Sequence, residues 1–102
     1  MREDAFRAWM ASKGNIGLRP MGDAISRCKR VYKGLGINLD EEYAKDGGRS
    51  LIELLDYTTE DARLNHPTPA GISFKPGTNI KSSMASLKAA VNKYFEFCTE
   101  TK

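Results

Sequence analysis

The stretch from Met21 to Gly36, MGDAISRCKRVYKGLG, decides the fold. Met21, Ala24, Ile25, Cys28, Val31, Tyr32 and Leu35 return every three or four positions, the spacing of a helix with one apolar face and not the alternation of a strand. Pro20 fits the first turn of this helix, and Gly34 and Gly36 mark its end, because glycine readily takes the left-handed conformation that closes helices. The opposite surface carries Arg27, Lys29, Arg30 and Lys33, with Arg19 just before them, the densest cationic cluster of the chain.

Towards the N-terminus, Phe6, Trp9 and Met10 predict a first helix from about Glu3 to Lys13 that Gly14-Asn15 stops. Trp9, the single tryptophan, is expected to anchor the core. Towards the C-terminus the pattern breaks into short pieces. A turn of helix is expected near Asp40 to Lys45, then an interruption at Gly47-Gly48. A helix from about Ser50 to Leu55 follows, with Ser50 and Glu53 matching a capping box. A further short helix starts at Thr58 or Thr59, with Glu60 and Asp61 in its first turn. Pro67, Pro69 and Pro76 exclude regular helix from His66 to Thr78, where Ile72 and Phe74 are positioned to pin a long loop onto the core. From about Lys81, Met84, Leu87, Val91, Tyr94, Phe95 and Cys98 restore the helical period.

The expected fold is thus all-α, a small antiparallel bundle of four to five helices with a long proline-containing loop before the last. The 102 residues, 40% hydrophobic and 28% charged, suit one helical domain over 1–102, standing alone or cut from a larger protein. No apolar run approaches the roughly 18 residues that span a bilayer, so no membrane partner is expected. Met1-Arg2-Glu3-Asp4 leads into an amphipathic stretch and not a purely apolar one, which points to a cytoplasmic location.

The residue inventory argues against chemistry. His66 is the one histidine and lies beside a proline in a loop, without a nucleophile in sequence reach, so no catalytic residue is assigned. One histidine with Cys28 and Cys98 leaves a tetrahedral metal site short of ligands, and both cysteines fall on apolar helix faces as buried thiols. Gly34-Leu35-Gly36 lacks the third glycine and preceding strand of a dinucleotide loop, so no cofactor is expected. The basic helix remains. A net charge of +3 permits a polyanionic partner, and cations along one helix face can neutralise phosphates with sequence-independent, salt-sensitive affinity. Arg7, Lys13, Lys75, Lys81 and Lys88 are placed to extend that surface.

A first helix ending near Trp9-Met10, then Ile25-Ser26-Arg27-Cys28-Lys29-Arg30-Val31, a region of short helices, and Leu87 to Phe97 with Lys93-Tyr94-Phe95-Glu96-Phe97 resembles the N-terminal core-binding domain of phage-type integrases, the tyrosine recombinases. Similar short domains accompany some mobile-element and restriction-type nucleases. The resemblance implies a SAM-like bundle that lies against double-stranded DNA beside a separate catalytic domain. It also implies phosphate contacts from Arg27, Lys29, Arg30 and Lys33 on the second helix and from Lys81, Ser82, Ser83 and Lys88 on the last; Arg19, part of the same cationic cluster, is expected to join the DNA-binding residues. Two features depart from that pattern: the recombinase catalytic residues are not among these 102 residues, and the loop from His66 to Gly77 is longer than the usual linker. The alternative is an accessory domain of a phage or host-defence assembly that docks a protein partner through Tyr57, Phe74 and the proline-rich loop.

Overall fold

The computed structural model describes residues 1–14 and 17–101. These residues form six helical segments and no strand: α1 (Glu3–Ser12), α2 (Leu18–Leu35), α3 (Leu39–Asp46), α4 (Arg49–Leu55), α5 (Thr59–Arg63) and α6 (Ile80–Glu100). The all-α bundle expected from the periodicity is present, and α5, little more than one turn long, lies where a short helix was expected from Thr58 or Thr59. Gly14 takes positive φ after α1, while Asn15, the other half of the expected stop, lies outside the described residues.

The frame is the pair α2 and α6. Pro20 and Ala24 share a groove with Ala90 and Lys93, and Ser26 and Arg30 share one with Ser83 and Leu87, so the two helices run antiparallel. Met21, Ala24, Ile25, Cys28 and Val31 are the buried face of α2. Each larger apolar side chain taken from water contributes roughly 1.5–3 kcal/mol. The Cys28 thiol donates to the Ala90 carbonyl at 3.4 Å, and burial pushes it up to about 12. Both cysteines are buried and free, Cys98 with its thiol also raised by burial.

One end of the core is aromatic. Phe6 packs edge-on to Tyr94 at 5.0 Å between ring centroids and lies 5.5 Å from Phe97. Trp9 sits on the rim of this cluster, partly buried, with its indole N–H donating to Glu100 at 3.4 Å. Tyr94 buries its ring yet keeps its hydroxyl satisfied: it donates to Asp40 at 2.6 Å and accepts from the Arg2 amide at 3.0 Å. Burial, then the Asp40 carboxylate, raise the Tyr94 phenol.

The caps correct two local expectations. Ser50 and Glu53 form no capping box. The N-cap of α4 is Gly48 at φ +84, and a Cβ there would lie 2.2 Å from Phe95 Cε2. The Asp46 carboxylate does the capping instead, accepting from the Gly48 amide at 3.0 Å and from the Ser50 amide and hydroxyl at 3.1 and 2.5 Å. The Ser50 hydroxyl is the main cause of an Asp46 carboxyl held below its ordinary range. The box that does form joins Thr58 and Asp61 at the start of α5, where Thr58 Oγ1 accepts from the Asp61 amide at 3.1 Å.

Gly34 is the second correction. The helix closes at Gly36, φ +65, whereas Gly34 lies inside its last turn and lets the proline-rich loop touch the backbone. A Cβ on Gly34 would meet the Gly71 carbonyl oxygen at 2.5 Å, and one on Gly71 would meet the Gly34 oxygen at 1.9 Å. Ile72, 2% exposed, enters the core next to this contact, as the loop's apolar residue was expected to do. The Thr68 hydroxyl donates to the Ile72 carbonyl at 2.5 Å, completing the anchor.

Candidate nucleic-acid interface

Three adjoining concave surfaces follow the seam between α2 and α6. Arg27 and Lys93 flank the first, whose floor is Ala24, Ala89 and Ala90. Arg27 continues into the second with Arg30, Phe74, Ser83 and Ser86, and Arg30 and Phe74 continue into the third with Lys75 and Thr78. Among the described residues no carboxylate lines any of the three. The seam therefore joins two arginines, two lysines and several hydroxyls, the donor set that phosphate oxygens accept from.

The helical period places these donors. Arg27 and Arg30 are three residues apart and so neighbour each other on one side of α2, while the apolar stripe faces the core. Ser83 and Ser86 repeat that spacing on α6. Phe74 reaches the seam because Ile72, two residues earlier, is fixed in the core.

The remaining expected contacts disperse. Arg19 and Lys33 are exposed at the two ends of α2, outside these grooves. Lys29 turns to the other flank and pairs with Glu3 at 2.6 Å, an interaction that raises the lysine and lowers the glutamate. Arg7 also pairs with Glu3, at 3.6 Å, and Lys13 pairs with Glu100 at 2.7 Å while lying over the Trp9 ring. Lys81 and Lys88 line a different groove, about 720 Å³, between α6 and the chain joining α4 to α5. There Lys88 is held by Asp56 at 3.1 Å. That groove is the larger, yet one of its two lysines already faces an acid.

On α6, Lys93 and Ser86 are the members that sequence reasoning did not assign to the site. Their signal was their place on α6 opposite Arg27, which only the pairing of the two helices supplies. Tyr57 and Phe74, the expected protein-docking aromatics, have partners within the chain: the Tyr57 hydroxyl donates to the His66 carbonyl at 2.6 Å, and Phe74 lies beneath Arg30. The His66 Nδ1–H donates to the Asp61 carboxylate at 2.7 Å, which helps hold the Asp61 carboxyl below its ordinary range after the larger effect of the Thr58 amide. Among the described residues no cluster of three His, Cys, Asp or Glu side chains could hold a metal ion, and no helix is long and apolar enough to cross a membrane.

No family model matches the chain, and no curated protein or solved structure matches it either.

Proposed function

We propose that this chain is a non-catalytic DNA-binding module, resembling the SAM-like core-binding domain of a phage-type integrase, that acts in the cytoplasm on double-stranded DNA. Contact is to the phosphate backbone, along the seam of α2 and α6. Any catalysis belongs to a separate domain or protein partner. The observation that carries this reading is the run Lys93, Arg27, Arg30, Lys75 along grooves that no carboxylate lines among the described residues, in a chain whose other basic residues often face an acid. Cations without a carboxylate neighbour keep their full charge for an incoming polyanion, whereas a paired lysine must first give up its partner.

The test is a fluorescence-anisotropy titration of the chain with a labelled duplex of about 20 base pairs at several salt concentrations. Log affinity is expected to fall linearly with log salt, with a slope near −0.9 for each phosphate neutralised. Affinity that ignores salt, or no binding at the lowest salt, overturns the proposal.

A further inference from the structure

We propose that Phe74 is a positioning residue that pre-aims the Arg30 guanidinium at a phosphate of the bound backbone. This rests on the DNA-backbone reading of the same seam. The Arg30 guanidinium carbon sits 4.5 Å from the centroid of the Phe74 ring, and one terminal nitrogen donates to the Ser73 carbonyl. The ring fixes the plane of the guanidinium and the carbonyl fixes its rotation, so the donors left over are presented as a rigid fork. Both side chains line the two grooves that meet at this point, with Ser83 of α6 in both as well. Arg27, on the same seam, has no ring beneath it and no ion pair among the described residues.

The platform is itself held. Phe74 is half-buried on a loop whose neighbouring Ile72 is in the core and whose Gly71 touches Gly34 of α2. A side chain with many rotamers that is ordered before binding loses less freedom on binding, which favours affinity without adding a charge. The proline-rich loop thereby acts as the support of one cation in addition to covering the core. A lysine at position 30 would keep the charge but lose both the fork and the stacking.

Anisotropy titrations over a salt series, with a circular-dichroism melt of each variant, separate charge from aim. Arg30→Ala is expected to flatten the salt slope by about 0.9, the loss of one neutralised phosphate. Phe74→Leu and Arg30→Lys are each expected to weaken binding about 5- to 10-fold while leaving the slope nearly unchanged, because the charge stays and the preorganisation goes. Phe74→Tyr, which keeps the ring, is expected to bind as the unmodified chain does. A folded Phe74→Leu or Arg30→Lys that binds within about twofold of the unmodified chain overturns the positioning role, and the backbone reading survives if Arg30→Ala still flattens the slope. Should Phe74→Leu not fold, Arg30→Lys at its exposed position decides alone. An unmodified chain that does not bind at low salt removes both.

Discussion

The two sides of α6 draw on the same residue types but differ in what faces their cations. On the α2 side, Arg27, Arg30, Lys75 and Lys93 line a surface to which no carboxylate among the described residues contributes. On the α4–α5 side, Lys88 meets Asp56, and Lys81 forms no ion pair among the described residues. Density of basic residues along the chain therefore says little about availability. Lys29 and Arg30 are consecutive, yet one is tied to Glu3 and the other stands over Phe74 in the seam. Successive helical residues point about 100° apart, so adjacent cations serve different neighbours.

The comparison can be broken most severely by removing the loop that walls the α2 side. Gly71→Ala combines φ +94 with a Cβ 1.9 Å from the Gly34 oxygen and is expected to cost about 3 kcal/mol in urea unfolding. Gly36→Ala, at φ +65 in open space, is expected to cost only about 1 kcal/mol, which separates the close contact from the backbone conformation. Equal losses for the two would show that the Gly34–Gly71 contact contributes nothing.

Charge reversal then tests the two sides against each other. Arg27→Glu with Arg30→Glu is expected to weaken duplex binding about 100-fold, roughly 2.7 kcal/mol for two lost charge-assisted contacts, with only a small loss of melting temperature from the contacts of Arg30 with Phe74 and Ser73. Lys81→Glu with Lys88→Glu is expected to weaken it by less than about threefold, the long-range share of two remote charges. Comparable losses in anisotropy would mean that the DNA spans both grooves and that α6 is a ridge between two contacts. Asp56→Asn sharpens the point at small scale. Removing an exposed ion pair should change stability by less than about 0.5 kcal/mol in urea unfolding, while freeing Lys88 should raise duplex affinity slightly.

The smallest effect expected is on the acid limb of stability. Asp46, Asp61, Glu3 and Glu100 are all held below their ordinary values of 3.8 and 4.5, by the Ser50 hydroxyl, the Thr58 amide, Lys29 and Lys13 respectively. A lowered carboxyl binds fewer protons folded than unfolded. Its contribution is thus complete above the unfolded value and is lost as pH falls through the folded one. Urea midpoints should be flat from about pH 7 to 5 and decline below about 4, and Asp46→Asn should reduce that decline. A midpoint that rises on acidification would contradict the assigned hydrogen bonds.

The long helices were legible because their spacing repeats over many turns: the stripe from Met21 to Leu35 and the run from Met84 to Cys98 each leave one solution for a chain that must bury one face. Ser50 and Glu53 misled because a capping motif of the right spacing does not reveal whether Gly48 and Asp46 already occupy the cap. Gly34 misled in the same way, since a glycine near a helix end reads as its stop even when the residue is needed for contact with a loop far along the chain. Of the seven cations assigned to DNA, Arg27 and Arg30 meet on the seam, and Lys93 joins them from a helix whose pairing partner sequence did not specify.

Helical class, the buried stripe of each long helix and the choice of the second helix as the basic one were determined by sequence alone, because they depend on contacts within a few turns. Which cations stay unpaired, which arginine rests on Phe74 and which serines face them were decided only by tertiary structure. Those outcomes depend on Glu3, Asp56, Gly71 and Lys93 arriving from elements distant in the chain, and local periodicity carries no information about such arrivals.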